Sequence, residues 1–540
     1  MANRMRDEDI VAALFEENVS EDEENYPSES DYNSDHISEA SESPSDTDME
    51  EPESVEETPP TLPFYTGKDG KTKWYKTPPR TNVRTRSENI ITDLPGCKPT
   101  VRDKKTHLEC FDIFFTKELV NIVLKYTNQK IFLRLENCEP SPSTKETNRE
   151  ELRAVFGLLI LAGLYRSNRQ SLIDLWSNDG TGIEIFRNTM TRQRFSFLVN
   201  NLRFDDSSTR TERAAIDRLA PIRDVFEVFV KNCQDAYTPF EYLTIDEELL
   251  AFRGRCSFRQ FIPPYAVSNK PFDVVDRLVR CVSGSGRNVT MDNFFMSLET
   301  TENLLKNHKL TAVGTLRSNK ACLPPQFKSR REEKSSIFGF QKDITIVSYI
   351  PKPRKCVHMM SSLHHDNEID PESGTQRKPS IITFYNTTKS GVDVVDKLSR
   401  TYDVSRNSKR WPLTLFFALL NHANINSFIV HIFNNEIDRK KSNTRRNFIK
   451  QLGLSLLENH IRKRKDNPHV PREIRSRVHQ ILEEEVPGPP QNQPRKSQRC
   501  SFCPRNKDRK TLNGCFKCNV AICKEHANLI CQNCTDLFNE

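Results

Sequence analysis

The C-terminal end of the chain carries the pattern that most restricts how it folds, a series of closely spaced cysteines and one histidine. Two residues separate the members of each ligand pair, and the pairs are Cys500 and Cys503, Cys515 and Cys518, Cys523 and His526, and Cys531 and Cys534. Each pair spans one edge of a tetrahedral Zn²⁺ site, so four pairs predict two structural zinc ions. Only four residues separate the later pairs, which favours an interleaved arrangement of first with third and second with fourth. The pattern predicts a closed module over 500–540 that binds DNA or protein. A ubiquitin-ligase RING is the alternative, although its usual long central spacing is absent.

Cysteine usage and apolar runs indicate the compartment. Of 15 cysteines, seven lie between Cys500 and Cys534 and eight are scattered. This distribution favours a metal site in a reducing compartment over a disulfide framework. There is no run of about 18 apolar residues, and no apolar stretch that would make the first residues a signal peptide. We therefore expect a cytosolic or nuclear protein without a membrane partner.

Charge is distributed unevenly along the chain. Residues 1–60 carry 21 acidic residues against two arginines, whereas the remainder carries 78 Lys and Arg against 53 Asp and Glu. A basic body indicates a nucleic-acid partner, and the acidic tail would compete for the same basic surface. A tail that only aids solubility is the alternative. Residues 1–85 contain too little apolar surface to offset the entropy of ordering, so we predict that they are disordered.

Three segments place carboxylates where a metal site would need them. The apolar run Tyr242–Ile245 predicts a strand that ends at Asp246, and the run from Asn288 predicts another strand that ends near Asp292. A helix opening at Ser390 would present Asp393 and Asp396, three residues apart, on one face. Arg253 and Arg255 follow the first strand, and carboxylates beside cations suit a site that holds divalent metal against phosphate. For Asp246, a strand end that simply meets solvent is the alternative.

Apolar periodicity divides the rest of the chain. Steps of three and four predict helices over 107–235, and the nearly all-apolar run 411–423 predicts a core helix. Most arginines of the first region would be solvated, with a minority contacting DNA: Arg166, Arg169, Arg187, Arg192, Arg194, Arg203, Arg213, Arg218 and Arg223. Lys409 and Arg410 are further candidates for phosphate contact. Short β-like runs occupy 311–316, 344–350, 357–360 and 381–385, basic helices occupy 436–480, and a proline-rich linker occupies 485–499.

In this order the segments resemble the piggyBac family of transposases and their domesticated derivatives. The resemblance runs from about Cys110 to the C-terminus. It is carried by Leu243–Cys256, Arg287–Phe295, Val313–Lys320, Tyr385–Lys397, Ser405–Pro412 and the cysteine-rich end.

The resemblance implies a multidomain α/β protein. A helical dimerisation and DNA-binding domain would occupy 107–235, and a ribonuclease H-like core would occupy 236–310 and 385–480, interrupted by a β-rich insertion domain at 311–384. Asp246, Asp292 and Asp393 look like the family's catalytic carboxylates, with Asp396 as its additional required aspartate. They would hold two Mg²⁺ ions that activate a nucleophile and stabilise the leaving oxygen. The implied reaction is cut-and-paste strand transfer at TTAA sites, with terminal inverted repeats as partner and a nuclear homodimer as the acting form.

One departure from the family pattern concerns the core. Only 45 residues lie between Asp246 and Asp292. Residues 272–281 supply a helix there, but 257–271, with Pro263 and Pro264, leave room for at most one broken strand. We therefore expect a core truncated by two strands. Loss of those strands would remove support for the strand that bears Asp246, so a catalytically inactive, domesticated DNA- or chromatin-binding protein is the alternative function.

Overall fold

The computed structural model describes residues 63–78, 90–91, 93–136, 141–256, 270–435, 444–465, 467, 470–482, 497–507, 509–515 and 520–527. The chain divides into two compact units, one of 1–186 with 190–457 and one of 187–189 with 458–540. The larger unit combines a helical part with a mixed sheet, which makes the protein a mixed α/β protein. The expectation that 257–271 hold at most one broken strand, with two strands of the core missing, falls largely on 257–269, which lie outside the described residues.

The helical part of the first unit occupies the region where periodicity predicts helices. Its helices are α1 (His107–Phe114), α2 (Lys117–Leu135), α3 (Arg149–Leu164), α4 (Leu172–Leu175), α5 (Glu184–Thr189), α6 (Arg192–Asn201), α7 (Arg210–Ile216) and α8 (Arg223–Ala236). Several begin at a side-chain cap, since Thr106, Thr116, Asn148 and Thr191 each accept a backbone N–H of the first turn. Such caps satisfy donors that the helix itself leaves unpaired, and they explain where these helices begin.

The helices of the C-terminal half are bounded as follows: α9 (Pro271–Val279), α10 (Leu298–His308), α11 (Ser380–Thr388), α12 (Gly391–Thr401), α13 (Trp411–Asn435), α14 (Thr444–Lys465) and α15 (Arg472–Ile481). α13 is long and apolar enough to cross a membrane, but 67% of its most apolar stretch is buried inside the fold, as in a core helix. Its Phe416 ring lies 5.9, 5.5 and 4.7 Å from those of Phe115, Phe156 and Phe204. The predicted core helix is therefore confirmed, and it joins the helical part into one apolar core.

The main sheet has eight strands in the order β1-β2-β8-β9-β10-β7-β6-β5. Their bounds are β1 (Phe64–Thr66), β2 (Lys73–Tyr75), β5 (Tyr242–Ile245), β6 (Asn288–Met291), β7 (Thr311–Thr315), β8 (Ser336–Phe340), β9 (Thr345–Lys352) and β10 (Lys355–Ser361). Two short pairs complete the strands, β3 (Gly96–Cys97) with β4 (Tyr237–Thr238), and β11 (Gln498–Arg499) with β12 (Lys510–Thr511). β5, β6 and β7 are parallel, and the other pairings of the main sheet are antiparallel.

Helices pack on both faces of this sheet. Alternate strand residues such as Ala312 and Ile346 join one apolar cluster with α9 and α10, whereas their chain neighbours Val313 and Val347 join another with α11. This division follows from the two-residue period of a strand. The domain boundary expected at 310/311 falls between β6 and β7, which are hydrogen-bonded parallel neighbours, so the sheet continues across it.

Two local predictions are wrong. Residues 381–385 form part of the helix α11 rather than a strand, because Ile381 and Ile382 pack as one helical face against the sheet. Residues 63–78 are not disordered, because β1 and β2 form a hairpin at one end of the sheet. Trp74 anchors the hairpin, since it is fully buried and its indole N–H donates to the carbonyl of Cys322 at 2.8 Å.

Candidate active site and metal centre

Two neighbouring strands of the sheet end side by side, and an aspartate follows each. β5 and β6 are parallel with Ile245 opposite Met291, and the next residues are Asp246 and Asp292. Because adjacent strands lie about 4.8 Å apart, this register brings the two aspartates to neighbouring positions at the carboxyl edge of the sheet. Asp246 is exposed and Asp292 is half-buried.

The turn that follows β6 holds Asp292. The backbone N–H groups of Phe294 and Phe295 donate to its Oδ1 at 2.8 and 3.4 Å. Burial raises the pKa of Asp292, and the charge of Asp246 raises it further, against the effect of those N–H groups and of Arg317. The two carboxylates therefore repel each other, and a cation between them would relieve that repulsion.

The junction of α11 and α12 is seated directly on β5. Thr244 of β5 donates its hydroxyl to the carbonyl of Thr388 at 2.7 Å. A Cβ at Gly391 would lie 2.7 Å from the same hydroxyl oxygen, so only glycine permits this approach. Asp393 follows in the first turn of α12. The close packing of helix and strand thus brings a third carboxylate to the edge that carries Asp246.

Tyr385 of α11 is a side chain on which the charges of all three carboxylates act. Burial raises the pKa of this tyrosine, and the charges of Asp292, Asp246 and Asp393 each raise it further. A phenol feels these charges only where they lie near its oxygen. All three carboxylates therefore affect the pKa of one phenol.

Asp396 lies one helical turn after Asp393 and belongs to a second group of charges. Burial and the charge of Glu248 raise the pKa of Asp396, against Arg400, which pairs with it at 3.2 Å. Glu248 in turn lies 3.1 Å from Nε2 of His422 on α13. Asp396 therefore faces the segment after β5 and α13.

Sequence reasoning missed Glu247, Glu248, His422 and Tyr385. Burial, a hydrogen bond with Asp246 and the charges of Asp292 and Asp246 raise the pKa of Glu247 to about 7. Glu247 and Glu248 directly follow Asp246, so the sequence itself indicates that they lie near this carboxylate. No local pattern marks His422, because 174 positions separate it from Glu248.

The carboxylates of Asp246, Asp292 and Asp393 have the chemistry that a hard divalent cation requires. Their donors are oxygen atoms, which Mg²⁺ prefers. After burial, the charge of Asp246 raises the pKa of Asp292, a repulsion that a cation would offset. Among the described residues, the carboxylates do not form a set of three with donor atoms within 4.8 Å of one another. Asp246, Asp292 and Asp393 are the side chains that would hold the ion.

A tighter ligand set lies in the second unit. The donor atoms of Cys500, Cys503, Cys523 and His526 all lie within 4.8 Å of one another. Nδ1 of His526 is 3.7, 3.7 and 3.2 Å from the three sulfurs, and the sulfurs of Cys503 and Cys523 are 3.7 Å apart. Zn–S bonds of about 2.3 Å in a tetrahedron place sulfurs about 3.8 Å apart, so the cluster fits a zinc ion.

The chemistry of the cluster agrees with this geometry. Although burial opposes it, N–H groups of Cys523 and Phe502 lower the pKa of the Cys500 thiol to about 6. The thiolate that a metal requires is therefore favoured near neutral pH at Cys500, whereas burial and the neighbouring thiols raise the pKa of Cys503 to about 11. The structure brings together the first and third ligand pairs. Cys515 is described but is not part of the cluster, and Cys518, Cys531 and Cys534 lie outside the described residues.

The arginines of the helical part divide by their partners. Arg194 is buried, pairs with Glu151 at 2.6 Å and donates to three backbone carbonyls. Arg213 pairs with Asp205 at 2.8 Å, and Arg223 pairs with Asp217 at 2.6 Å. These three arginines hold the fold together.

Comparison with known proteins identifies the class. The family model described as Transposase IS4 matches residues 106–272 and 265–428, which together exceed half of the chain. The two matches meet at 265–272, close to the stretch where we expect strands to be missing.

A solved structure gives the particular family. The cryo-EM structure of a piggyBac transposase synaptic complex with hairpin DNA superposes with a TM-score of 0.72 and 34% identity, covering 82% of this chain and 100% of that chain. PiggyBac transposable element-derived protein 3 of Homo sapiens is 21% identical over 369 residues, covering 58% of this chain and 60% of that protein. The chimeric ERCC6-PGBD3 protein of Homo sapiens is also 21% identical, with 34% of its length covered. The chain thus spans less than two thirds of these human relatives. It belongs to the piggyBac-type transposases.

Proposed function

We propose that this protein is a DNA transposase that cuts and rejoins DNA at TTAA sites, with Asp246, Asp292 and Asp393 as its metal-binding carboxylates. The observation that carries the proposal is the register of β5 and β6, which brings Asp246 and Asp292 to one edge of the sheet. The seating of Gly391 against Thr244 adds Asp393. Mg²⁺ bound there would supply charge stabilisation for phosphoryl transfer.

Each side chain has a role that follows from its place. Asp246 and Asp292 offer oxygens from adjacent strand ends, and Asp393 offers one from a helix that packs over them. The amide donors of Phe294 and Phe295 orient Asp292. Asp396 and the pair of Glu248 with His422 would position the segment that follows Asp246.

The remaining parts of the proposal rest on the family and on local chemistry. The parallel strands β5 to β7 with their helices support a ribonuclease H-like core, and the first and third cysteine pairs support a structural zinc ion. A second zinc held by Cys515, Cys518, Cys531 and Cys534 is part of the same proposal. DNA as the partner is supported by the structure it resembles, a transposase complexed with hairpin DNA. A homodimer in the nucleus completes the proposal.

A catalytically inactive DNA-binding protein is the second candidate, and one observation favours it. Among the described residues, β5 pairs only with β6, so the strand that bears Asp246 lies at the end of the sheet. Leu249 and Leu250, just beyond it, are 75% and 41% exposed. A strand with a free edge holds its carboxylate less firmly than one that is paired on both sides.

A cleavage assay tests the proposal. The full-length chain is incubated with Mg²⁺ and a plasmid whose insert is flanked by the matched terminal repeats, and excision is measured. We expect excision from the wild type and a loss of at least about 100-fold, or about 3 kcal/mol of transition-state stabilisation, for Asp246→Asn, Asp292→Asn or Asp393→Asn.

The exposed Glu333→Gln variant is the matched control and should excise normally. Full activity in all three aspartate variants would refute the assignment of these residues. Repeat binding by the wild type without any excision would favour the inactive DNA-binding protein instead.

A further inference from the structure

A serine, a histidine and an aspartate are joined by hydrogen bonds near the start of β6. Nδ1 of His308 lies 3.1 Å from Oγ of Ser283, and Nε2 of the same ring lies 2.9 Å from Oδ1 of Asp276. These three residues are called the triad below. His308 ends α10, Asp276 belongs to α9, and Ser283 precedes β6 whereas Asp292 follows it. The triad and the candidate metal-binding carboxylates therefore lie at opposite ends of one strand.

Asp276 determines which nitrogen of His308 carries the proton. Nδ2 of Asn303 donates to Oδ1 of Asp276 at 3.1 Å, and Nη2 of Arg280 pairs with its Oδ2 at 2.9 Å. Hydrogen bonds with His308 and Arg280 lower the pKa of Asp276 to about 2, so this carboxylate is charged at neutral pH. A charged carboxylate accepts the Nε2–H of a neutral imidazole, which leaves the Nδ1 lone pair for the hydroxyl proton of Ser283. His308 is therefore oriented as a general base for this hydroxyl.

The histidine is buried and the serine is exposed. His308 has 8% of its surface exposed, whereas Ser283 is an exposed residue. The backbone N–H of Gly284 donates to the carbonyl of His308 at 2.6 Å, so the turn that carries Ser283 is tied to the end of α10. A base fixed by its surroundings beside a hydroxyl that solvent can reach is the arrangement of an activated nucleophile.

Ser283 lines a cavity of about 1030 Å³. Cavities of this size and partly apolar lining take up drug-sized ligands. The substrate that would suit both the serine and these walls is an ester of an apolar acid. The apolar and aromatic side chains of the lining include Phe240, Tyr242, Val282, Ile429 and Val430.

Arg287 brings a cation to the same cavity. Only 1% of its surface is exposed, and it is one of the lining residues. Its Nε donates to the carbonyls of Pro239 and Phe240, both at 3.0 Å, and its Nη2 donates to that of Asp93 at 3.4 Å. Among the described contacts this leaves Nη1 as a donor. A buried guanidinium donor would stabilise the negative charge that develops on an ester carbonyl oxygen during attack.

Cys281 is the other candidate nucleophile of the cavity. Its thiol donates to the carbonyl of Leu278 at 3.4 Å, and burial raises its pKa. The thiolate, which is the reactive form of a cysteine, is therefore disfavoured at neutral pH. Ser283 has a base within reach, so it is the stronger candidate.

We propose that the triad is an esterase site for esters of apolar acids, with Ser283 as nucleophile, His308 as its base and Asp276 as the group that orients the base. This activity goes beyond the proposed function and does not depend on it. Oγ of Ser283 bonds to the ester carbonyl carbon while its proton passes to Nδ1 of His308. The bond to the alcohol oxygen then breaks, and the departing alcohol takes that proton. Water cleaves the acyl-serine by the same route, which releases the acid and restores the serine.

The test uses the full-length chain without added Mg²⁺ and two probes. A biotinylated alkyl fluorophosphonate transfers its phosphonyl group to an activated serine with loss of fluoride, and mass spectrometry locates the label. p-Nitrophenyl butyrate reports ester hydrolysis. We expect the wild type to carry the label on Ser283 and to hydrolyse the ester, and Ser283→Ala to lose both properties.

Ser329→Ala is the matched control, because Ser329 is exposed and its hydroxyl donates to the carbonyl of Gln326 at 2.7 Å rather than to a histidine. It should keep the label on Ser283 and the hydrolysis rate. A wild-type chain without label on Ser283, or hydrolysis by Ser283→Ala at the wild-type rate, would overturn the inference.

A second measurement separates catalysis from a purely structural hydrogen-bond chain. His308→Gln keeps a polar side chain that cannot take up the proton, and Asp276→Asn no longer fixes the tautomer of the histidine. Each should slow labelling of Ser283 at least about 100-fold. Ser283→Ala guards against misfolding, since loss of an exposed hydroxyl should leave the urea midpoint of unfolding unchanged. Labelling of Ser283 at the wild-type rate in both variants would refute the roles of His308 and Asp276.

Discussion

The contact between Gly391 and Thr244 predicts a measurable coupling between α12 and β5. In Gly391→Ala the new Cβ would lie 2.7 Å from Oγ1 and 3.1 Å from Cβ of Thr244. The threonine hydroxyl cannot rotate away without losing its 2.7 Å hydrogen bond to Thr388, which contributes about 1 kcal/mol. Overpacking of a tight contact costs about 1–3 kcal/mol, and the better helix propensity of alanine returns at most about 1.

We therefore expect Gly391→Ala to lower the free energy of unfolding by about 1–2 kcal/mol. Thr244→Ala removes the clashing hydroxyl, so Thr244→Ala with Gly391→Ala should be more stable than the sum of the single changes by about 1 kcal/mol. Urea denaturation of the four proteins followed by circular dichroism measures this coupling. Asp393 follows Gly391 by two residues, so excision should fall in the single variant more than its stability requires.

Two results would refute this reasoning. Gly391→Ala as stable and as active as the wild type would show that the helix moves freely on the strand. Additive effects in the double variant would show that Thr244 is not the group that resists the new methyl.

Three further predictions concern stability and metal content. Glu151→Ala should cost about 3–5 kcal/mol in urea denaturation, because it leaves the guanidinium of Arg194 buried without its partner, whereas Glu151→Leu with Arg194→Met should recover most of that loss. Cys523→Ser should lower the zinc content by one ion per chain in metal analysis, and fewer than two ions per wild-type chain would contradict the zinc assignment. Burial lowers the pKa of His358 from 6.5 to about 4, so the unfolded chain binds this proton first as pH falls. The free energy of unfolding should then fall by about 3 kcal/mol between pH 6.5 and 4, and His358→Gln should reduce that loss.

The sequence indicates local chemistry where the residues that act together are close neighbours in the chain. The spacing of Cys500 with Cys503 and of Cys523 with His526 is a chelating pattern, and these are the side chains that the structure gathers. Strand and helix periods placed Asp246 after β5 and Asp393 in a helix, because burial of one face imposes its period on the sequence.

Secondary-structure propensity gave a wrong prediction where tertiary packing favoured a different structure. Residues 381–385 are rich in β-branched and aromatic side chains, yet they form α11, because a helix buries Ile381 and Ile382 against one face of the sheet. The hairpin around Trp74 likewise depends on a carbonyl at Cys322, which 248 positions separate from it. The composition of the first 85 residues does not reveal a hydrogen-bond partner that lies so far away in the chain.

The motifs and their order were enough to identify the family and to single out four aspartates as candidates, since each motif is encoded by residues within one short segment. Only tertiary structure decided which arginines serve the fold, as with Arg194 and its buried glutamate. It also decided that β5 lies at the end of the described sheet and that Gly391 fits against it. The physical reason is that pairing, burial and charge balance depend on distances in space between residues far apart in the chain, and no local pattern records those distances.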